Sequence, residues 1–284
     1  MGVSESSVKR WCDSGTISSE KTSGGHRKIT LEALQSFLDS TQRKLEFPEK
    51  LGMPRMLPSR SVSLAGSDEP RKQIFRNALA TGQEDRCRQL MREMVDQGAS
   101  CSQAAECLIT DAMSSMGLAW NCQQIDIYQE RRACDIASKL IYELRQSLPA
   151  LPLDAPIAIG GSPEGDHYQL PTALVELTLR EAGWNATNLG SHLPLNSFRQ
   201  AAADYSAELV WISVSAIDEV DTFVRDQNEM AASLSGEIAL LMGGRALCDS
   251  VRPRLRYTAY CDSLRHLVDL ATIIRSKRSS TTSS

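Results

Sequence analysis

Two short runs near the front of the chain carry side chains suited to holding a polyanion. Ser6, Ser7, Lys9 and Arg10 fall in the run VSESSVKRWCDSG over residues 3–15. Gly24, Gly25, His26, Arg27 and Lys28 fall in the run TSGGHRKI over residues 22–29. Their chemistry is contact with nucleic-acid phosphates: Lys and Arg displace counterions, while hydroxyls and backbone N–H groups fix register. A second set of small residues sits further on, in the segments 160–171, 213–217 and 243–245. There glycines and serines follow apolar runs, an arrangement that leaves room for a ligand. The sequence shows no Ser/His/Asp set and no phosphate-binding P-loop. Asp166 and His167 are adjacent on a loop, which does not make a dyad. Catalysis is not expected.

The front residues need a helix and a hairpin to present them. Ser4 is placed to cap a helix whose Val8 and Trp11, three apart, share one face. Gly15 stops that helix, and Gly24-Gly25 permits a tight turn of positive φ before the basic arm. A further helix is expected over residues 30–38, with Leu31, Leu34, Phe37 and Leu38 on one stripe.

This order of Trp11-Cys12-Asp13-Ser14-Gly15 and Gly24-Gly25-His26-Arg27 resembles the MerR and excisionase families of winged helix-turn-helix proteins. The resemblance covers about the first forty residues. It implies double-stranded operator or promoter DNA as a partner, with Ser6, Ser7, Lys9, Arg10, Gly24, Gly25, His26, Arg27 and Lys28 as DNA-binding residues. A helix-turn-helix also needs a first, supporting helix. Here Gly2-Val3-Ser4 reads as the turn, so that helix is expected to be missing from residues 1–40: either the true start lies upstream or the reader is weakened.

Charge is distributed accordingly. The 284 residues have a net charge of −4, yet residues 1–60 hold ten Lys/Arg against seven Asp/Glu and the remainder 21 against 28. A mildly basic front on an acidic body fits DNA contact by the front alone. The eight cysteines are scattered with no C-x-x-C pair, which suits small core residues in a reducing compartment, and no zinc site is expected. No apolar run is long enough to span a membrane and the N-terminus is polar, so the expected address is the cytoplasm without membrane contact.

Behind the front, residues 41–70 hold prolines and serines with little periodicity and read as a flexible linker. Residues 71–150 show helical periodicity with breaks near Gly82, Gly98 and Gln123-Gln124, predicting a four-helix bundle. Over residues 151–276 short apolar strands (157–161, 185–189, 209–214, 238–244) alternate with helices (172–181, 195–204, 222–235, 264–275). That alternation predicts an α/β doubly wound parallel, Rossmann-like sheet, with ligands at the carboxyl ends of its strands. The Ser/Thr-rich residues 277–284 are expected to form a disordered tail, and the polar character already begins at Ser276. The fold class is thus multidomain: a small α winged helix-turn-helix, a four-helix bundle and a parallel α/β sheet.

A bundle joined to such a sheet resembles the cobalamin (B12)-binding module of corrinoid methyltransferases and of some MerR-type regulators, among them light-sensing carotenogenesis repressors. Gly165-Asp166 matches the start of that family's Gly-Asp-x-His-x-x-Gly loop, and Ser213-Val214-Ser215 and Gly243-Gly244 match its later loops. The histidine that would ligate cobalt is replaced by Tyr168, and the closing glycine by Pro171; His167 lies one place early. A phenol, with an ordinary pKa near ~10, is a poor cobalt ligand at neutral pH. In the bundle Trp120 keeps its place, Asn121 stands where light-driven members have a histidine, and the expected Glu-His pair is Glu130-Arg131. The resemblance implies a ligand pocket of Trp120, Glu130, Arg131, Asp166, Tyr168, Ser213, Ser215, Gly243 and Gly244. No metal ligand is assigned beyond His167, and no cofactor is certain. Three readings stay open: cobalamin without a protein ligand to cobalt, another small molecule with Arg131 and Tyr168 as its polar groups, or a pocket serving oligomerisation or a protein partner. The change at Tyr168 favours the last two. As a whole the sequence reads as a DNA-binding transcriptional regulator with a cobalamin-type sensor and self-association module. The alternatives are a corrinoid carrier of a methyltransferase system and an interaction scaffold.

Overall fold

The computed structural model describes residues 5–21, 27–29, 33, 37, 41 and 68–281, and the chain divides into two compact units, Met1–Ser61 and Val62–Ser284. In the first, α1 (Glu5–Asp13) is followed by Gly15 at φ +73°, and the antiparallel pair β1 (Glu20–Lys21) and β2 (Arg27–Lys28) sets Glu20 opposite Lys28. Ile17 is buried and donates its N–H to the Trp11 carbonyl; the Trp11 ring lies 4.8 Å from that of Phe37. Ala33, Phe37 and Thr41 have helical backbone; the first two fall in the helix expected over 30–38, and Thr41 is the first residue of the stretch read as linker. The Ser4 cap, Leu31, Leu34 and Leu38 lie outside the described residues, as does 42–67.

The second unit opens with helices α2 (Glu69–Thr81) and α3 (Glu84–Asp96), joined through Gly82 at φ +77°. Next, α4 (Cys101–Ala105) runs through a π-helical turn (Glu106–Thr110) into α5 (Asp111–Asn121), and α6 (Ile127–Ser147) closes the bundle. Capping boxes at Ser100 and Asp126 start α4 and α6, each pairing an acceptor side chain with a glutamine three residues on. The buried stripes Phe75/Ala78/Leu79, Leu90/Met91/Met94, Leu108/Ile109/Ala112 and Ile136/Leu140/Ile141 form one core.

Five parallel strands follow: β3 (Ile157–Gly161), β4 (Asn185–Asn188), β5 (Leu209–Ser213), β6 (Ala239–Gly243) and β7 (Ala259–Cys261), in the order β4-β3-β5-β6-β7. Helices α7 (Leu170–Glu181), α8 (Leu195–Asp204), α9 (Val220–Ser233) and α10 (Leu264–Thr281) cover the faces. The order reverses between β3 and β5, the switch point at which doubly wound sheets hold ligands. Two expectations are corrected. The fifth strand, β7, was not expected: it is three half-buried residues long at the sheet edge, too short for a periodic signal. The polar tail is helical as far as Thr281, because extending an existing helix costs far less than starting one.

Helix α7 belongs to two cores. Leu174 and Leu177 pack into the bundle core, while Val175 and Leu179 pack against the sheet with Trp184 and Trp211. At its end, Glu181 accepts from the N–H groups of Cys101 (2.7 Å) and Ser102 (3.1 Å) and from the Ser102 hydroxyl, capping α4 across the boundary.

Candidate functional site

A cleft of about 1030 Å³ opens between the bundle and the carboxyl edge of the sheet. Its size stands at the upper end of the usual range for ligand pockets. The bundle wall comes from α5 and α6 and the π turn. Residues 127, 130, 131, 134, 135 and 138 share one face of α6, and Thr110, Met113, Ser114, Gly117 and Trp120 face them. Much of this wall is small. A Cβ built at Gly117 would meet nothing within 4 Å, so that glycine leaves open space within the cleft lining. Glu106 lines the cleft from the π turn, an irregularity often found at functional sites. Burial pushes its carboxyl up, against the pull of the Leu264 N–H at the start of α10. Glu130 accepts from the Cys134 Sγ at 3.1 Å, and the Cys134 thiol is pushed up to about 12, by burial first and then by Glu130. Arg131 lies 3.6 Å from Glu130, its side chain largely in solvent.

The floor is built from strand ends. Ser213, Gly243 and Cys261 are paired across β5, β6 and β7, and all three line the cleft. Two residues earlier, on the same face by strand alternation, Trp211 pairs with Gly160 and Leu241. A Cβ at Gly160 would lie 2.2 Å from the Trp211 ring. That glycine therefore makes room for the indole, whose Nε1 donates to Thr172 Oγ1 at 2.9 Å; the Thr172 hydroxyl in turn donates to Asn188 Oδ1. Gly244, at φ +119°, brings its backbone against Val214, where a Cβ would meet the carbonyl oxygen at 2.2 Å.

The loop after β3 is held by Asp166, which is completely buried. Its carboxylate accepts from the N–H groups of Tyr168 (2.9 Å), Ser215 (2.5 Å) and Ala216 (3.4 Å). This corrects the reading of Asp166 as a pocket residue: it ties two loops together and does not line the cleft. Tyr168 does line it, 48% exposed, with the Arg245 guanidinium 4.6 Å from its ring centre. His167 also lines the cleft and stacks on His192 at 4.4 Å, while His192 Nδ1 accepts from the Gly165 N–H. His192 itself has φ +58°, strained for a residue other than glycine.

Of the residues expected in a pocket, the cleft brings together Trp120, Glu130, Arg131, Tyr168, Ser213, Ser215, Gly243 and Gly244. The side chain of Asn121 is not among those described. Sequence reasoning missed Glu106, Cys134, Cys261 and the His192 partner. Arg245 was visible only as the residue after Gly-Gly. At the front, Ser6 and Ser7 lie on α1, Lys9 and Arg10 are exposed on it, and Arg27 and Lys28 form β2. Gly24, Gly25 and His26 lie outside the described residues. Among the described residues no group of three or more His, Cys, Asp or Glu is arranged to hold a metal, and no helix is long and apolar enough to cross a membrane.

The family model described as B12 binding domain matches residues 73–145, the bundle wall of the cleft. Comparison with curated protein sequences finds no match. Among solved structures, the monomethylamine corrinoid protein of Methanosarcina barkeri is similar with a TM-score of 0.55 at 17% identity, over 69% of this chain and 94% of that one. That likeness shows a shared fold. A cobalamin-binding protein of Desulfitobacterium hafniense DCB-2 (14% identity, TM-score 0.38, 72% and 98% covered) and the methanol:cobalamin methyltransferase complex MtaBC of M. barkeri (16%, 0.39, 87% and 93%) are also matched.

The volume of the cleft leaves room for a ligand as large as a corrin ring: the small residues Thr110, Ser114, Gly117, Cys134 and Ser138 line one wall, with open space at Gly117. At the loop position of the expected cobalt ligand stands a phenol, paired with an arginine.

Proposed function

We propose that this chain is a corrinoid-binding protein, and that its front unit couples occupancy of the cleft to contact with DNA. The observation that carries the reading is the cleft itself. Its upper wall is the stretch matched by the B12-binding model, and its lower wall is the carboxyl edge of a parallel sheet at the topological switch point. The bundle residues Thr110, Ser114, Gly117 and Ser138 would face the macrocycle, and Ser213, Gly243 and Gly244 the part that reaches the sheet. When bound, a corrinoid would supply the redox chemistry of its cobalt; the chain would supply enclosure and orientation, and no residue is assigned a catalytic role. Coupling to DNA is supported by α1, which presents Lys9 and Arg10 to solvent, and by the basic pair in β2. Self-association would let two weak readers act together.

A second reading is favoured by the fold shared with a protein titled as a corrinoid protein. In it the chain is a carrier whose cleft would hold the corrinoid for a partner methyltransferase. One pair of measurements separates the two. The full chain is mixed with hydroxocobalamin in the dark, passed through a gel-filtration column and examined by visible absorption. It is then tested by mobility shift on double-stranded DNA, including the promoter of its own gene, with and without the corrinoid. Co-elution of corrinoid supports the binding reading, and its absence overturns it. DNA binding that changes with occupancy supports the regulator. No DNA binding in either state overturns the regulator and leaves the carrier.

A further inference from the structure

We infer that Glu106 touches the guest of the cleft: its carboxylate accepts from an N–H donor on the guest, and so selects a ring edged with primary amides over one edged with carboxylates. The inference rests on the corrinoid reading, which supplies an amide-edged ring, and adds to it the residue that reads that edge.

Along the π turn and α5 the cleft is lined by Glu106, Ile109, Thr110, Met113, Ser114 and Gly117, and Glu106 is the one charged side chain among them. It is half-buried there. A carboxylate taken out of water needs donors or a cation in return. Other acids of this unit have that return. Glu181 accepts from two N–H groups and a hydroxyl at the head of α4, Asp166 accepts from three N–H groups, and Glu143 is held by the Arg88 guanidinium. At Glu106 the Leu264 N–H is the one group that favours the charged form, and among the described residues no cation joins it. The arginines that line the cleft are turned to other partners. Arg131 lies beside Glu130 and largely in solvent, and Arg245 stands over the Tyr168 ring and donates from Nε to the Ser215 carbonyl. A carboxylate offers about four acceptor sites. One N–H leaves most of them open, and because Glu106 lines the cleft, a guest is what can fill them. A primary amide brings two N–H donors without a charge, and its bond to a carboxylate is charge-assisted. An acid on the guest at the same place would set two carboxylates together. An apolar edge would seal Glu106 from water with nothing in exchange.

The test uses the full chain with two probes: cobinamide, whose corrin ring is edged with primary amides, and cobyrinic acid, the same ring edged with carboxylates. Calorimetry at pH 7 gives both affinities for the native chain, Glu106→Gln and Glu106→Leu. We expect the native chain to prefer cobinamide by about tenfold or more. Glu106→Gln, whose amide accepts from one probe and donates to the other, should bring that ratio towards one by tightening cobyrinic acid. Glu106→Leu should lower the ratio by weakening cobinamide. Retained binding of either probe shows that a variant is folded; where one variant binds neither, the other variant and the native ratio decide. Equal affinities in the native chain, or a ratio that neither variant moves, overturn the inference and leave the corrinoid reading standing. Binding of neither probe by the native chain overturns both.

Discussion

At the scale of single residues, the molecule turns carboxylates to opposite ends. Asp166 accepts from three backbone N–H groups, so Asp166→Ala takes the partner from one buried and two part-buried donors. We expect a loss of about 2–4 kcal/mol, read as a fall in the urea midpoint at constant slope. Two glutamates should respond to pH with opposite sign. The Arg88 guanidinium holds the Glu143 carboxyl below the usual carboxylate range through bonds of 2.7–3.0 Å. Its stabilisation is therefore present above the unfolded value of about 4.3 and is lost as pH falls through the lower folded value. Glu143→Gln should be less stable than the native chain at pH 7, and the gap should close in acid. Glu106 is pushed up by burial, so the native chain carries a cost that grows as pH rises from the unfolded value towards the folded one. Glu106→Gln should then be the more stable protein at pH 7 and no different at pH 4; thermal melts of the ligand-free chain at the two pH values check both. In the front unit, Arg10→Ala should weaken DNA binding and reduce its logarithmic salt slope by about 1, measured by titration at several salt concentrations. Among these roles, the small residues at strand ends were legible in the sequence because they follow apolar runs. The His167–His192 stack was not, since 25 residues separate the partners and only the loop conformations bring them together.

At the scale of elements, four of the five strands of the parallel sheet and the helical character of the bundle were legible, for two physical reasons. Three of these strands, β3, β5 and β6, are apolar runs ended by glycine or serine, β4 is a mostly polar strand between an α-helix and Leu189, and the bundle helices bury apolar stripes in one core. The π turn carried no such mark: a local change in helical register leaves composition untouched, yet it places Glu106 at the cleft. The same stretch holds a site where stability and binding should part company. Gly117 lies within α5 and faces open space, so Gly117→Ala meets no steric objection. Alanine at a helix interior is favoured by about 1 kcal/mol. The variant should melt higher than the native chain, and its methyl group should weaken corrinoid binding in the same co-elution assay.

At the scale of the whole molecule, what matters is that the second unit is welded rather than hinged. α7 contributes to the bundle core through Leu174 and Leu177 and to the sheet through Leu179, and Glu181 caps α4 from the far side of the boundary. Bundle and sheet should unfold together, with far-ultraviolet ellipticity and tryptophan fluorescence giving one midpoint. Glu181→Ala, which removes a cap worth about 1–2 kcal/mol, should lower that midpoint and draw the two signals apart. The sequence reading placed a division at residues 150–151, where prolines interrupt the pattern. It did not show that one helix serves both sides, because the alternating faces of α7 declare themselves only once both neighbours are in place. A helix shared by two cores also governs traffic. Walls that do not swing apart leave the rim as the doorway, and the rim carries Trp120, Tyr168 and Arg131, all turned partly to water. Entry and exit of a guest are then timed by side-chain rearrangement at the threshold, so residence time can be altered at the rim with the packed interior left untouched.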